Sequence, residues 1–266
     1  GAGHAGIGED VNYTGDDQLR FQSSPLPGGT TAFEGSLREY SVRLDELVLI
    51  EQPSMPAYVD YRRWAFESAA LDLALRQNGL SLAIALDRTS QPLRFAVSLG
   101  LGPRPTLAPI RAWLAIDRSL RFKVDASSAW TRSLVEELAA LDVVDVIDLK
   151  GAYVGTPVDQ PADPELYRNV AEGFPSAWIE DPALGPSIDA LLEPHRARIT
   201  WDAPIHSVAD IQALPFAPKC LNIKPSRFGS VERLFAAYEY CERNDIAMYG
   251  GGQFELGPGR GQIQRL

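Results

Sequence analysis

Lysine is scarce in this sequence: Lys123, Lys150, Lys219 and Lys224 are the only lysines among 25 basic residues. Cysteine is scarcer, with Cys220 and Cys241 alone, both inside apolar segments. That count excludes a disulfide framework, and the two thiols read as reduced core residues rather than a metal pair. No apolar run approaches the roughly 18 residues of a membrane span. The opening GAGHAGIGED lacks the basic and apolar regions of a secretory leader. It also lacks an initiator Met, so an upstream part is expected to be absent. Together these features predict a cytoplasmic setting. Positive charge is in deficit as well: the net charge is −10 at pH 7 and the pI about 4.8. Nucleic acid and anionic membrane both need basic patches, so the balance argues against either as a partner. A small anionic substrate stays open, because one pocket can be locally positive on an acidic protein.

What is present is an ordinary globular balance, 45% hydrophobic and 23% charged over 266 residues. Residues 1–56 mix short extended stretches with turn-rich ones such as SSPLPGG. YRRWAFESAALDLALRQNGL then reads as one helix. Trp64, Ala65, Ser68, Ala69, Leu71 and Leu75 recur at steps of three and four, and Asn78-Gly79 ends it. Gln91-Pro92 marks a boundary, giving an N-terminal domain over 1–90 and a second over 91–266. From residue 93 the rhythm changes. Short β-rich runs (LRFAVSLG, RFKVDAS, VVDVIDLKG, AWIEDP, RITWDAP, CLNIKPS, IAMYGGGQF) alternate with amphipathic helices such as SLVEELAAL, PELYRNVAEGF and SVERLFAAYEYCERND. This spacing predicts parallel βαβ units. Seven such units in one run favour a (β/α) TIM-type barrel over a doubly wound sheet, and no GxGxxG follows the first strand.

In such a barrel, chemistry sits at the C-terminal ends of the strands. The apolar runs here end in charge with regularity: Lys123 and Asp125, Asp148 and Lys150, Glu180 and Asp181, Asp202, and Lys224. Residues two apart on a strand share a side, so Lys123 faces with Asp125 and Asp148 with Lys150. Asp181, adjacent to Glu180, is expected to point away from it. Three of the four lysines lie at these ends. A buried ammonium can lose its proton where a guanidinium cannot, so Lys224, Lys123 and Lys150 are candidate bases or electrophiles; neutralising adjacent carboxylates is the alternative. Asp148, Glu180 and Asp202 would repel one another in one barrel mouth unless a hard divalent cation such as Mg²⁺ joined them.

At these residues the sequence resembles the enolase superfamily, in particular its muconate-lactonizing-enzyme and o-succinylbenzoate-synthase-like branch. The resemblance covers nearly the whole chain. RRWAFESAALDLALRQNGLSLAIAL is similar to the helix that joins the capping domain to the barrel. LNIKPSRFGS (221–230) is similar to the sixth-strand motif with its lysine, and GGGQFELG (250–257) to the glycine-rich end of the seventh strand. The resemblance implies an α+β capping domain over 1–90 and a barrel over 91–266 that stops short of an eighth strand. It also implies Mg²⁺, a small carboxylate substrate, and α-proton removal through a metal-stabilised enediolate, ending in elimination or isomerisation. A Lys or His base working with Mg²⁺ is a known property of that superfamily. Homo-oligomers are the expectation, since barrels of this type commonly associate.

Two departures from the branch stand out. Its usual Lys-x-Lys on the second strand is Lys123-x-Asp125 here, and its Asp-x-Asn on the third is Asp148-x-Lys150. Neighbouring strands lie roughly 5 Å apart, so Asp125 and Lys150 are placed to pair. Lys150 then either replaces the missing second-strand lysine or occupies the metal's space, leaving a non-catalytic barrel that binds a ligand or partner. Asp125 is the reserve ligand. A seventh-strand His, the mark of the mandelate-racemase-like branch, is absent; Gly252 and Gln253 stand there. His206, Gly252 and Glu255 are candidate substrate-binding residues, with a loop cap, close backbone packing and a salt bridge as their ordinary alternatives. GGGQFELGPGRG can cradle a phosphate on backbone amides but lacks the ending of a P-loop. A sugar-processing barrel with paired acids would account for Glu180 and Asp202 but not for the lysines.

Overall fold

A computed structural model describes residues 3–156 and 158–266. The first ninety residues contribute four helices: α1 (Gly15–Ser23), α2 (Leu37–Asp45), α3 (Tyr58–Asn78) and α4 (Leu82–Ala85). They hold no strand among the described residues, so only helical parts of the expected α+β cap are present. Ser36 and Glu39 close a reciprocal capping box at the start of α2. α3 ends where expected, with Gly79 in the left-handed conformation (φ 63°).

The strand runs form one parallel sheet in chain order: β1 (Ala96–Gly100), β2 (Arg121–Asp125), β3 (Val144–Asp148), β4 (Trp178–Glu180), β5 (Ile199–Trp201), β6 (Cys220–Ile223) and β7 (Ala247–Gly250). Between and after them lie α5 (Ala108–Ile116), α6 (Arg132–Ala139), α7 (Pro164–Gly173), α8 (Pro186–Leu192), α9 (Val208–Gln212), α10 (Pro225–Phe228), α11 (Val231–Arg243) and α12 (Pro258–Ile263). A 3₁₀ turn, Glu193–Arg198, follows α8. Thr131, Ser207 and Ser230 cap α6, α9 and α11 with their hydroxyls, which is why these polar residues punctuate the apolar rhythm. The sheet curls: Tyr249 on β7 reaches Glu180 on β4. No eighth strand occurs among the described residues, and β1 and β7 form the two edges. The core consists of buried strand residues such as Phe122, Val124, Ile147, Ile179, Ile199 and Leu221, with helix residues Leu138, Val170 and Leu234 packed outside them. Cys220 and Cys241 are both buried and free. Among the described residues no helix is long and apolar enough to cross a membrane.

The helix–barrel contact is more polar than the apolar spacing of α3 predicted. Arg63 and Glu67 are buried there beside Trp64, while buried Arg62 turns back to Asp10 and the Phe21 ring. Arg63 donates to Gly229 O at 2.9 Å, and Glu67 accepts from the Val231 amide at 2.9 Å. Gly229 has φ 69°, and a side chain there would strike Asp60 on α3. This clamp fixes the turn that carries Lys224 and Arg227.

Candidate active site

All the sequence-predicted charges from β2 to β6 arrive at one end of the sheet. Asp125, Asp148 and Glu180 are the last residues of β2, β3 and β4, while Asp202 and Lys224 directly follow β5 and β6. In-register pairing puts Asp125 beside Asp148, and Asp148 beside Glu180. Asp148, Glu180, Asp181 and Asp202 are completely buried.

Their partners are amines, a guanidinium, phenols and backbone amides. Lys123 Nζ touches Glu180 Oε1 and lies 3.1 Å from Asp148 Oδ2. Lys150 Nζ lies 2.5 Å from Asp148 Oδ2 and 3.5 Å from Asp125 Oδ1. The pair expected between Asp125 and Lys150 is therefore present. Lys150 reaches it through a left-handed backbone (φ 56°), not through strand alternation, because β3 has ended at Asp148. Asp202 Oδ2 accepts from Lys224 Nζ at 2.8 Å and Tyr153 OH at 2.9 Å, and its Oδ1 from Arg227 at 2.9 Å. Tyr249 OH donates to Glu180 Oε2 at 2.5 Å.

The expectation for Asp181 is corrected. β4 stops at Glu180, and Asp181 turns through φ 47°, so alternation no longer directs its side chain outward. Its carboxylate instead accepts from the amides of Asp202 (2.9 Å) and Ala203 (2.8 Å). One oxygen each from Asp148, Glu180 and Asp181 lie within 4.8 Å of one another. Among the described residues this is the acidic group with metal-ligand spacing, and Asp202, the third acid expected from the sequence, is not in it. These are hard oxygen donors from rigid strand ends and suit Mg²⁺ by donor chemistry. Asp148 and Glu180 also hold the lysine amines, so a divalent cation seated there competes with ammonium.

Burial dominates the electrostatics. It pushes the Glu180 carboxyl up to about 8 against the pull of Lys123. Burial and neighbouring Asp202 raise Asp181 to about 7. For Asp202 burial is outweighed by Lys224 and Arg227, which hold it well below the usual carboxylate range. Burial opposes the charge on Lys123, yet Glu180 and Asp148 hold its amine above its ordinary value. Lys224 moves the other way: burial lowers it, Asp202 only partly restoring it.

The remaining candidates fall around this cluster. His206 turns its ring to Ala203 O (Nε2 at 3.2 Å), and burial lowers its pKa, as fits a loop cap. Gly252 packs directly against the carboxylate of Glu255. Glu255 is buried, and among the described residues neither of its oxygens is hydrogen-bonded, so the alternative of a salt bridge is not realised there. The amide cradle expected after the seventh strand does form, but Glu9 fills it, accepting from the amides of Leu256, Gly257 and Gly259 at 2.6–3.1 Å. Four contributors had no role from sequence alone: Arg227, Tyr153, Tyr249 and Gln253, whose Oε1 lies 3.4 Å from Lys224 Nζ. The phenol tip of an aromatic inside a barrel strand is the signal that could have found Tyr249.

The parallel, curled sheet and its ring of charged strand ends define a protein with the enolase-superfamily fold. A superfamily member from Listeria innocua superposes with a TM-score of 0.68 at 20% identity, over 93% of this chain and 65% of that one. A probable mandelate racemase from Alicyclobacillus acidocaldarius gives 0.69 at 21% identity, over 97% and 71%. The chain belongs to the DUF8230 family: its N-terminal and C-terminal domains, both described as of unknown function, match residues 1–85 and 89–266. Among curated proteins, the o-succinylbenzoate synthase of Enterococcus faecalis is 27% identical over 207 residues, covering 74% of this chain and 54% of that protein. The chain thus spans about half the length of that relative.

Proposed function

We propose that the chain removes a proton α to a substrate carboxylate in a metal-dependent reaction leading to elimination or isomerisation. The observation that carries this reading is the set of three amines, Lys123, Lys150 and Lys224, packed against carboxylates from the ends of β3, β4 and β5. Asp148 and Glu180 would hold the magnesium, with a third oxygen from Asp181 by geometry, where the strand-end charges of the sequence pointed to Asp202. Magnesium, when bound, supplies positive charge where negative charge develops as the α-proton leaves, which brings a weak carbon acid within reach of an amine.

Lys224 takes the proton at Nζ, oriented by Asp202 and Gln253, and the α3 clamp keeps its turn in place. Lys123 holds the substrate carboxylate. Lys150 supplies a second amine, so a two-sided isomerisation stays open beside a one-sided elimination. Glu255, unpartnered, and the Gly252 backbone belong to the substrate-facing wall, with Asp125 and His206 at its margins. Relatives named o-succinylbenzoate synthase and a Methylococcus capsulatus dipeptide epimerase complexed with Mg support this class of chemistry.

The test is proton NMR of a library of carboxylic acids in D₂O with the chain and Mg²⁺. The reading expects α-deuterium uptake that needs the metal and is lost in Lys224→Ala. A second reading, a non-catalytic barrel, is favoured by the ammonium of Lys150 on Asp148. It predicts no exchange with any carboxylate, although the chain is folded.

A further inference from the structure

We propose that Lys150 is a built-in counter-ion of Asp148 that an incoming divalent cation drives across to Asp125. The inference rests on the metal-dependent reading above and concerns how this chain's own side chains give way to the ion. One amine is shared unequally between two carboxylates, at 2.5 Å from Asp148 Oδ2 and 3.5 Å from Asp125 Oδ1. Asp148 belongs to the acidic group with metal-ligand spacing; Asp125 does not. Asp125 Oδ1 is a buried atom with no hydrogen-bond partner among the described residues. An acceptor left unmet this close to an ammonium is a ready destination for it.

Lys123 cannot behave this way. Its amine also touches Asp148, but its other ion-pair partner is Glu180, itself in the group, so both of its close contacts lie inside it. Lys150 needs little backbone change. Its own amide already donates to Asp148 Oδ1 at 3.0 Å, which pins the main chain while the side chain shifts by about one ångström-scale step. A dication and an ammonium repel strongly at contact distance inside a buried site, so the two cannot share Asp148 Oδ2. Lys150 and Asp125 thus stand as a matched pair at the ends of neighbouring strands.

The experiment is calorimetric titration of the whole chain with MgCl₂, without substrate. It compares the wild type with Lys150→Asn, Lys150→Met, Asp125→Asn and the double variant Asp125→Asn/Lys150→Met, each checked for folding by circular dichroism. Asn tolerates the left-handed backbone at position 150, and Met keeps the side-chain bulk without charge. Removing the amine is expected to tighten Mg²⁺ binding by about tenfold. Asp125→Asn, which removes the destination, is expected to weaken it by about tenfold, and that effect is expected to vanish once Lys150 is Met. Unchanged or weaker binding in both Lys150 variants overturns the proposal. So does an Asp125 effect that persists without Lys150, because Asp125 would then be a ligand itself. Binding by the wild type that ignores Lys150 sinks this inference alone; no binding by any folded variant sinks the metal-dependent reading as well.

Discussion

On the β5–β6 side of the barrel mouth, Asp202 is held by groups that have nowhere else to go. Arg227 is only 4% exposed and spans its backbone and side chain, Lys224 and Tyr153 take the other oxygen, and the α3 clamp fixes the turn behind them. On the β2–β4 side, Asp148 and Glu180 are held by two lysines at 14% and 17% side-chain exposure, one with a second carboxylate waiting. The difference separates a carboxylate held by a fixed guanidinium from carboxylates whose partners an ion can displace. A rigid guanidinium suits a permanent pair, and a flexible amine suits one that must be broken each time an ion binds.

The largest expected effect falls on catalysis. Lys224→Ala should lower α-proton exchange by roughly 10²- to 10⁴-fold with little change in Mg²⁺ affinity; a parallel loss of metal binding would erase the distinction between the two sides. Arg227→Ala strips a buried carboxylate of its fixed partner and should cost about 3–5 kcal/mol in urea unfolding. A loss no larger than that of Lys123→Met would show the β5–β6 side to be no more architectural than the other.

The pH dependence sharpens the same comparison. Glu180 titrates near 8 when folded, above its ordinary 4.5, so the folded chain holds that proton through this window. Its contribution to stability is complete below about 4.5 and is lost as pH rises through about 8. In metal-free protein, Glu180→Gln should flatten that decline; an unchanged slope would mean Glu180 is ionised throughout. Tyr249→Phe, which leaves one Glu180 oxygen unmet, should cost about 1–3 kcal/mol by thermal unfolding. Lys150→Asn should be the mildest, within about 1 kcal/mol of the wild type, since Asn suits φ 56°. A large loss there would make Lys150 a structural strut.

Much of this was legible in the chain. Strand–helix alternation placed all seven strands, and the strand-end charges led to Asp148, Glu180 and Lys224 because in-register parallel strands finish at one level. The pairing of Asp125 with Lys150 was expected from strand spacing, though the left-handed turn at Lys150 is what brings it about. Asp181 was misread because alternation is a rule for strands, and β4 ends one residue earlier. Glu9 in the amide cradle was invisible because its partners lie about 250 residues away and meet it only through tertiary folding. Arg227 stood in plain view within the sixth-strand motif, but nothing in the pattern PSRF tells which carboxylate a buried guanidinium will take.

The central claim is that a divalent ion seats among Asp148, Glu180 and a third acid while the amine of Lys150 moves aside. A crystal soaked in MnCl₂ and measured for anomalous scattering tests it directly. The account predicts one peak about 2.1 Å from oxygens of Asp148 and Glu180, with Lys150 Nζ against Asp125. A mouth without a peak, its ammonium still on Asp148, would contradict it.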